Sequence, residues 1–347
     1  MQPAPEIAPD TAPGKQALFI IGGSNSLRKD GWVNNLAHFG ADRIEVRNLA
    51  IGAATSLMGT YRILNDEVPE GATVIWEYAI NETNYHGSGQ FCGSIFRNLD
   101  WFLETCARRA IRVLPVVFWT RREQVGTQRN EYRRAIVERL CARGVSPLDF
   151  GDIVTEFSTR RNIPVAKLYS DGLHYRRGSG LFNMMAKRVL NNLGGACIPS
   201  RDSSLADREI FLVRPEAAAT GLFSNSVVTA DIHAFTEGVG ISTTGNLLAF
   251  YLIGSKQGGA VEVMIDGQSV GTYSAQCPQR ENGPPRLFKH IVLGGEHGGG
   301  HPVSGTLTFR AGKADGRPVV QHSFVWEPTG GPRDDGFIAA LMERPRM

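Results

Sequence analysis

The chain has 347 residues, of which 42% are hydrophobic and 20% are charged, a composition typical of a soluble globular protein. This length favours two domains over a single core. The formal net charge is only +3, so nothing in the charge indicates binding of nucleic acid or of an anionic membrane surface. The longest apolar runs, such as 113–119, are too short to span a bilayer.

The N-terminal segment 1–14 is rich in proline and alanine and has no apolar run, so we expect a disordered leader without a secretory signal. The five cysteines are odd in number and form no Cys-x-x-Cys pair. Free thiols and a reducing compartment are favoured, which predicts a cytoplasmic protein. A chain shortened after a signal peptide would look the same, so a periplasmic or secreted location stays open.

The segment 15–198 alternates short apolar runs with longer amphipathic stretches. Strands are predicted at 17–21, 42–49, 73–78, 111–118 and 146–150. Helices are predicted at 31–39, 58–65, 93–109, 127–143 and 178–193. Strands that alternate with helices predict an α/β domain with a parallel sheet covered on both faces.

The pattern changes between residues 194 and 207, where we place the domain boundary. Beyond it, short β-rich runs separated by glycines predict a smaller all-β domain, a sandwich or jelly roll, over 205–347. Asp266-Gly267 predicts a tight hairpin turn. Strands are expected at 247–253, 260–265, 288–293, 305–310 and 319–326, and loops at 278–285 and 329–335.

Three polar side chains in the first domain suggest nucleophilic chemistry. Ser24 follows the first predicted strand directly, after Gly22 and Gly23, which permit a tight turn. Ligands bind beyond the carboxyl ends of parallel strands, which is where Ser24 should lie. Asp171 precedes His174 by three residues and can orient its imidazole, which can then accept the serine proton.

Two further residues could stabilise an oxyanion. Gly52 follows the second predicted strand and could offer its N–H, and Asn81 follows the third and could offer its side-chain amide. Each residue also has a plain structural explanation: a capping turn at Ser24, a turn glycine at Gly52 and an Asx turn at Asn81. Their ordered occurrence after successive strands favours acyl transfer.

In this ordered set of blocks the chain resembles the SGNH hydrolases, the GDSL esterase superfamily, with Asp171-Gly172-Leu173-His174-Tyr175 as the best single match. The resemblance covers about 15–193. It implies a flavodoxin-like, doubly wound parallel sheet and a reaction through an acyl-serine, without cofactor or metal. It also implies roles for five residues: Ser24 as nucleophile, His174 as general base and acid, Asp171 as its orienting partner, and Ser24, Gly52 and Asn81 as the oxyanion hole.

The chain departs from the family pattern at two blocks. Gly23 stands where the family usually has aspartate. In the third block, Ala79 replaces the usual glycine and Glu82 the usual aspartate. The catalytic atoms are retained, so these changes concern the packing around them.

Two competing motifs are weaker. An α/β-hydrolase elbow requires glycine two residues after the serine, where this chain has Ser26. The run His297-Gly298-Gly299-Gly300-His301 superficially resembles a metal pair, but it has no nearby carboxylate or cysteine ligands and reads as a surface loop.

The substrate is predicted by analogy. Trp32, Tyr85, Trp119 and Tyr175 lie near the expected site in sequence and could stack on a sugar ring. Family members joined to a β-sandwich often deacetylate carbohydrates, so we expect an esterase that removes acetyl or other short acyl groups from a saccharide or polysaccharide. The alternatives are an O-acyltransferase with the same triad, or a non-catalytic carbohydrate-binding protein on a degenerate hydrolase scaffold.

Overall fold

The computed structural model describes residues 14–87, 94–279, 283–294, 299–312, 319–320, 327 and 333–346. The first domain is built on a five-stranded parallel sheet with the order β2-β1-β3-β4-β5, as the flavodoxin-like prediction required. Its strands are β1 (Gln16–Gly22), β2 (Ile44–Asn48), β3 (Thr73–Glu77), β4 (Arg112–Val117) and β5 (Leu148–Asp149).

Helices cover both faces of this sheet. They are α1 (Trp32–Phe39), α2 (Ser56–Leu64), α3 (Ala79–Gly87), α4 (Ser94–Arg108), α5 (Arg121–Gln124), α6 (Glu131–Ala142), α7 (Phe150–Arg161) and α8 (Leu181–Asn192). Successive residues of β1 point to opposite faces: Leu18 and Ile20 pack with α1, α7 and α8, while Phe19 and Ile21 pack with α2, α4 and α6. No described helix has the length and apolar character that a membrane crossing requires.

The prediction was wrong for the region around residue 150. A strand was expected over 146–150, but β5 has two residues and α7 begins at Phe150. Asp149 explains the early start, because its Oδ1 accepts a hydrogen bond from the Gly151 N–H at 2.7 Å and caps the helix. The helices α3, α5 and α7 were not predicted.

The second domain contains two antiparallel sheets packed face to face. One has seven strands in the path β13-β10-β16-β8-β7, with β14 paired to β10 and β6 to β16; the other has the order β12-β11-β15-β9. The strands are β6 (Arg208–Val213), β7 (Gly221–Ser224), β8 (Thr229–Ala234), β9 (Val239–Ser242), β10 (Gly245–Ser255), β11 (Ala260–Ile265), β12 (Gln268–Ser274), β13 (Arg286–Val292), β14 (His301–Val303), β15 (Thr306–Ala311) and β16 (Gly336–Pro345).

These sheets confirm the all-β prediction. The hairpin at Asp266-Gly267 joins β11 to β12, and both turn residues are left-handed, with φ of 49° and 81°. The strands β6–β9, β14 and β16 were not predicted, and His301, which was assigned to a surface loop, begins β14 and pairs with Leu247 on β10. The segment 194–207 lies between α8 and β6. Several predictions fall wholly or partly outside the described residues: the leader at 1–13, Gly93 of the helix at 93–109, residues 280–282 of the loop at 278–285, most of the strand at 319–326, the loop at 329–332 and His297 with Gly298.

The central strand β10 is buried on both faces. Phe250 and Leu252 contribute to the core between the two sheets, whereas Tyr251 and Ile253 lie in a core shared with α2 and α4 of the first domain. Its neighbour β16 is buried in the same way, from Phe337 to Met342. The seven-stranded sheet is therefore a middle layer, and the two domains share one hydrophobic core.

Glu343 adds a polar contact to this interface. Its carboxylate is fully buried and accepts hydrogen bonds from the Trp101 indole N–H at 3.0 Å and from the Arg97 Nε at 3.1 Å, both on α4. The Arg208 guanidinium on β6 donates to the same carboxylate. An isolated charge would not be stable in this position, and the arginines supply its partners.

We predict that Glu343→Gln destabilises the whole chain by about 3 kcal/mol, the lower end for a broken buried ion pair, because both arginines keep roughly a third of their exposure. Calorimetry should show one transition at a lower Tm, since the domains share a core. Arg310→Gln, which breaks the exposed pair with Glu262, serves as the control with a cost under about 1 kcal/mol. Two separate transitions, with only the β-sandwich affected, would contradict the shared core.

Candidate active site

The structure brings the predicted site residues together at the carboxyl edge of the parallel sheet. Ser24 follows β1 and is the first residue of a short 3₁₀ turn that ends at Ser26. Gly52 follows β2, and Asn81 lies in the first turn of α3, just after β3. His174 comes from the loop before α8. Strand ends therefore position the first three residues, and a separate loop supplies the fourth.

The side chains of Ser24, His174 and Asp171 form an unbroken hydrogen-bonded chain. The Ser24 Oγ lies 2.7 Å from the His174 Nε2. On the other side of the ring, the Nδ1 lies 2.8 Å from the Asp171 Oδ2 and 3.0 Å from its Oδ1. A carboxylate only accepts, so the imidazole carries its proton on Nδ1 and leaves Nε2 free to accept the serine proton.

The loop that carries His174 is shaped by its own aspartate. The Asp171 Oδ1 accepts hydrogen bonds from the N–H groups of Leu173 and His174, each at 2.8 Å. Partial desolvation alone would raise the pKa of Asp171, but these N–H donors and the imidazole outweigh it and lower the pKa. Asp171 is therefore an anion at neutral pH and can stabilise an imidazolium at His174.

Two residues that the sequence did not single out tie the serine turn to the histidine loop. The Asn25 amide donates to the Leu173 carbonyl at 3.2 Å. The Arg28 guanidinium donates to the Tyr175 carbonyl at 2.6 Å and to the Ser170 Oγ at 3.1 Å. No local pattern marks such contacts, because about 145 residues separate the partners in the chain.

Gly52 and Asn81 lie next to the nucleophile. A Cβ at Gly52 would be 3.9 Å from the Ser24 Cβ, so the two residues are neighbours in space. The Asn81 Nδ2 donates one N–H to the Ala54 carbonyl at 2.8 Å, and its second N–H is available to a ligand. Ser24 begins a 3₁₀ turn, where the first N–H groups have no partner inside the turn. The three donors that were predicted for an oxyanion hole therefore lie in adjacent segments around Ser24, and their role stays a prediction.

Gly23 has a steric reason to be glycine. A Cβ at this position would lie 2.3 Å from the Asn81 Nδ2, well inside contact distance. An aspartate at this position would therefore have to displace the Asn81 amide from its present place. The departure from the family pattern is thus compatible with the rest of the site.

A buried carboxyl group supports the serine turn from behind. The Glu77 Oε2, at the end of β3, accepts hydrogen bonds from the Gly23 N–H at 3.0 Å and from the Ser26 hydroxyl at 2.8 Å. Burial raises the pKa of Glu77 to about 8, and these two hydrogen bonds only partly oppose the shift. Glu77 is therefore mainly protonated at neutral pH and adds little negative charge behind Ser24.

The four aromatic side chains that were predicted to stack on a sugar ring do not form an exposed surface at the site. Trp32 and Tyr175 are fully buried, so the prediction that they stack on a sugar was wrong. The first turn of α1 carries Trp32 into the core beside Phe150, and the Tyr175 hydroxyl is bonded to the Trp119 carbonyl at 2.9 Å.

The other two predicted aromatics are largely covered as well. Tyr85 is 5% exposed, and its ring lies nearly parallel to that of His290, so it belongs to the shared core rather than to a platform. Trp119 is half-buried, with the Arg133 guanidinium over its ring at 3.9 Å. Among the described residues, Leu27 is an exposed apolar side chain at the site: it is 44% exposed and would lie 3.8 Å from a Cβ at Gly52.

The described residues hold no cluster of three or more histidine, cysteine or acidic side chains that could bind a metal ion. The four cysteines among them, Cys106, Cys141, Cys197 and Cys277, are free thiols.

We predict that neither Gly23→Ala nor Gly23→Asp improves activity, although the second restores the usual family residue. Displacing the Asn81 amide should lower the kcat for ester hydrolysis by about 10²–10³-fold, the typical effect of losing one oxyanion donor. Steady-state kinetics would measure it. Gly194→Ala is the matched control, because a Cβ there meets nothing within 4 Å. Full activity in Gly23→Asp would show that the site tolerates the carboxylate.

Glu77→Gln should flatten the pH dependence of stability. The folded state keeps its proton up to about pH 8, while in the unfolded chain the group titrates near its ordinary value of 4.5. Between these values the parent's free energy of unfolding falls with rising pH, by up to about 1.4 kcal/mol per pH unit, and above them it loses no more. Glutamine does not titrate, so urea denaturation at pH 5, 6, 7 and 8 should give a shallower decline. Parallel pH profiles would contradict this account.

Comparison with known proteins supports the architecture. No protein-family model and no curated protein sequence matches the chain. Among solved structures, a two-domain esterase (CEX) active on acetylated mannans, co-crystallised with mannopentaose, matches with a TM-score of 0.56 at 11% identity. The match covers 96% of this chain and 92% of that one. A second crystal structure of a two-domain esterase (CEX) active on acetylated mannans gives a TM-score of 0.55, also at 11% identity and with the same coverage.

A lipase/acylhydrolase from Enterococcus faecalis is 16% identical with a TM-score of 0.38, covering 53% of this chain and 98% of its own. The likeness to the two-domain esterase extends over both domains, and it agrees with the strand order and the β-sandwich described above. The chain therefore has the two-domain fold of this esterase, in which an α/β domain with a parallel sheet is followed by an all-β domain.

Proposed function

We propose that the protein is a serine esterase that removes O-acetyl or similarly short acyl groups from a carbohydrate or polysaccharide. The observation that carries the proposal is the hydrogen-bonded chain from the Ser24 Oγ through His174 to Asp171, at 2.7 and 2.8 Å. The Ser24–His174 distance suits proton transfer from the hydroxyl to the imidazole, and the His174–Asp171 distance suits a hydrogen bond that orients the ring.

In the first half of the reaction, the Ser24 Oγ attacks the ester carbonyl while its proton passes to the His174 Nε2. The carbonyl oxygen becomes an oxyanion, and the N–H groups of Ser24 and Gly52 and the Asn81 amide stabilise it. Asp171 stabilises the imidazolium. The tetrahedral intermediate then collapses, the sugar oxygen takes the proton from Nε2 and leaves, and the acyl group stays on Ser24.

In the second half, water attacks the acyl-serine. His174 accepts a proton from the water through Nε2, and the same donors stabilise the second oxyanion. Collapse returns the proton to the Ser24 Oγ and releases the carboxylic acid. The site is open enough for water, because the side chain of Asp171 is 52% exposed and that of His174 is 23% exposed. This exposure favours hydrolysis over transfer to an acceptor hydroxyl.

The substrate class rests on two supports. The neighbour that matches over both domains is described as active on acetylated mannans, and this suggests an acetylated saccharide for the present chain. Leu27 offers an apolar contact beside Gly52, close to where the acyl group of the intermediate would lie. None of the four aromatic rings that were predicted to stack on the sugar is exposed: three are buried and Trp119 is half-buried.

We predict that Ser24→Ala keeps the parent's Tm to within a few degrees and loses at least about 10³-fold in kcat for acetate release from acetylated oligosaccharides. A fluorophosphonate should label the parent at Ser24 and leave the variant unlabelled. Ser203→Ala, an exposed serine outside the site, is the control and should behave like the parent in both assays.

Acetate release measured with and without an acceptor sugar separates hydrolysis from transfer. Product that forms only with the acceptor would identify an O-acyltransferase that uses the same triad. A folded parent protein that neither releases acetate nor reacts with the fluorophosphonate would favour a non-catalytic binding protein.

A further inference from the structure

The backbone that carries Gly52 is held in place residue by residue. We call 52–57 the oxyanion loop. From its own domain, the Tyr85 hydroxyl donates to the Ala53 carbonyl at 3.2 Å, and the Asn81 amide donates to the Ala54 carbonyl at 2.8 Å. The Glu82 Oε1 accepts from the Ser56 N–H at 2.6 Å. These contacts fix three successive parts of the loop but leave Thr55 to another partner.

That partner comes from the β-sandwich. The His290 Nε2, on β13, shares a hydrogen bond of 2.8 Å with the Thr55 Oγ1. On β10, Tyr251 is the direct cross-strand neighbour of His290, and its hydroxyl donates to the Leu57 carbonyl at 2.6 Å. Two side chains of the second domain therefore hold the C-terminal half of the oxyanion loop, whose first residue is Gly52.

His290 is well suited to a permanent contact. It is 3% exposed, and its ring lies nearly parallel to those of Tyr85 and Tyr251, with centroids 6.1 and 6.3 Å apart. Burial, helped by the neighbouring Lys289 charge, lowers the pKa of His290 to about 3. The imidazole is therefore neutral at physiological pH, and its bond to Thr55 does not switch with pH in that range.

The loop needs such support because its backbone is strained. Ala53 has a φ of 57°, in the left-handed region that disfavours residues with a Cβ. A conformation of this kind costs on the order of 1–3 kcal/mol and persists only where its surroundings impose it. Gly52 directly precedes Ala53, so a change of backbone conformation at Ala53 would shift the Gly52 backbone relative to Ser24.

We propose that the second domain is a working part of the catalytic site, and that its residue His290 positions the oxyanion loop, and thereby the Gly52 N–H, by its hydrogen bond to Thr55. This inference rests on the proposed function for its effect on catalysis. It gives the β-sandwich a role in orienting a catalytic backbone group, apart from any role in binding polysaccharide. His290 is a positioning residue, since it acts through Thr55 and not on the substrate.

The test uses the full-length protein with His290→Phe, which keeps a flat buried ring, and Thr55→Val, which keeps the volume and removes the hydroxyl. Each should lower kcat on the order of 10–100-fold, as small misplacements of catalytic groups do, with KM changed less than about twofold. The double variant should lose no more than the worse single variant, because both remove one bond. Hydrogen exchange of the amides in 52–57 should speed up in all three.

Glu343→Gln is the matched control, because it weakens the same domain interface away from the loop. It should lower the Tm and leave kcat at the parent value, and any faster exchange should be spread over the whole chain and not be concentrated at 52–57. If His290→Phe does not fold, kcat and the amide exchange of Thr55→Val are sufficient to test the proposal.

Unchanged kcat and unchanged loop exchange in a folded Thr55→Val would overturn the proposal, and so would an equal loss of kcat in Glu343→Gln. A parent that hydrolyses no ester would instead refute the proposed function. In that case faster exchange at 52–57 in the variants would still support the positioning of the oxyanion loop by His290, and unchanged exchange would contradict it.

Discussion

The constraint on which the rest of this molecule depends is the burial of both faces of one β-sheet. The strands β10 and β16 send one set of side chains into the sandwich and the other against α2 and α4. Each large apolar side chain on the shared face, such as Tyr251, Ile253 or Leu341, contributes about 1.5–3 kcal/mol by leaving water. The sheet cannot leave the first domain without exposing this face, so the second domain is part of the core of the first.

A second feature is that burial favours the neutral form of two carboxyl groups near the proposed oxyanion hole. Glu77 lies behind the serine turn and Glu82 behind the oxyanion loop, and burial raises their pKa values to about 8 and about 7. An ionised carboxylate at either place would oppose an oxyanion in a low-dielectric site. As acids that are mainly or partly protonated at neutral pH, they accept backbone and hydroxyl hydrogen bonds and hold the loops in shape. The carboxylate that must be charged, Asp171, lies at the exposed end of the triad.

Much of the first domain could be predicted from its sequence, because strands buried on both faces read as apolar runs at regular spacing. Ser24, Asp171 and His174 could also be predicted, because Ser24 directly follows a predicted strand and the other two precede the last predicted helix. The prediction of sugar-stacking aromatic rings was wrong, because proximity in sequence does not determine the direction of a side chain. The ring of Trp32, for example, is buried in the core. Glu77 and His290 were missed because their partners lie 54 and 235 residues away. In the second domain, β16 escaped notice because it follows a glycine- and proline-rich stretch.

Two departures from the family pattern, at Gly23 and Glu82, can be explained by the contacts around these residues. The Asn81 amide occupies the space that a side chain at residue 23 would need, so any residue other than glycine there would have to displace it. With no side chain at Gly23 to fix the turn, Glu77 reaches across from β3 and holds the Gly23 N–H and the Ser26 hydroxyl instead. The longer glutamate at position 82 reaches the Ser56 N–H at the start of α2. The atoms proposed to react are those that the family pattern implies, while the groups that hold them come from strand ends, from α3 and from the second domain.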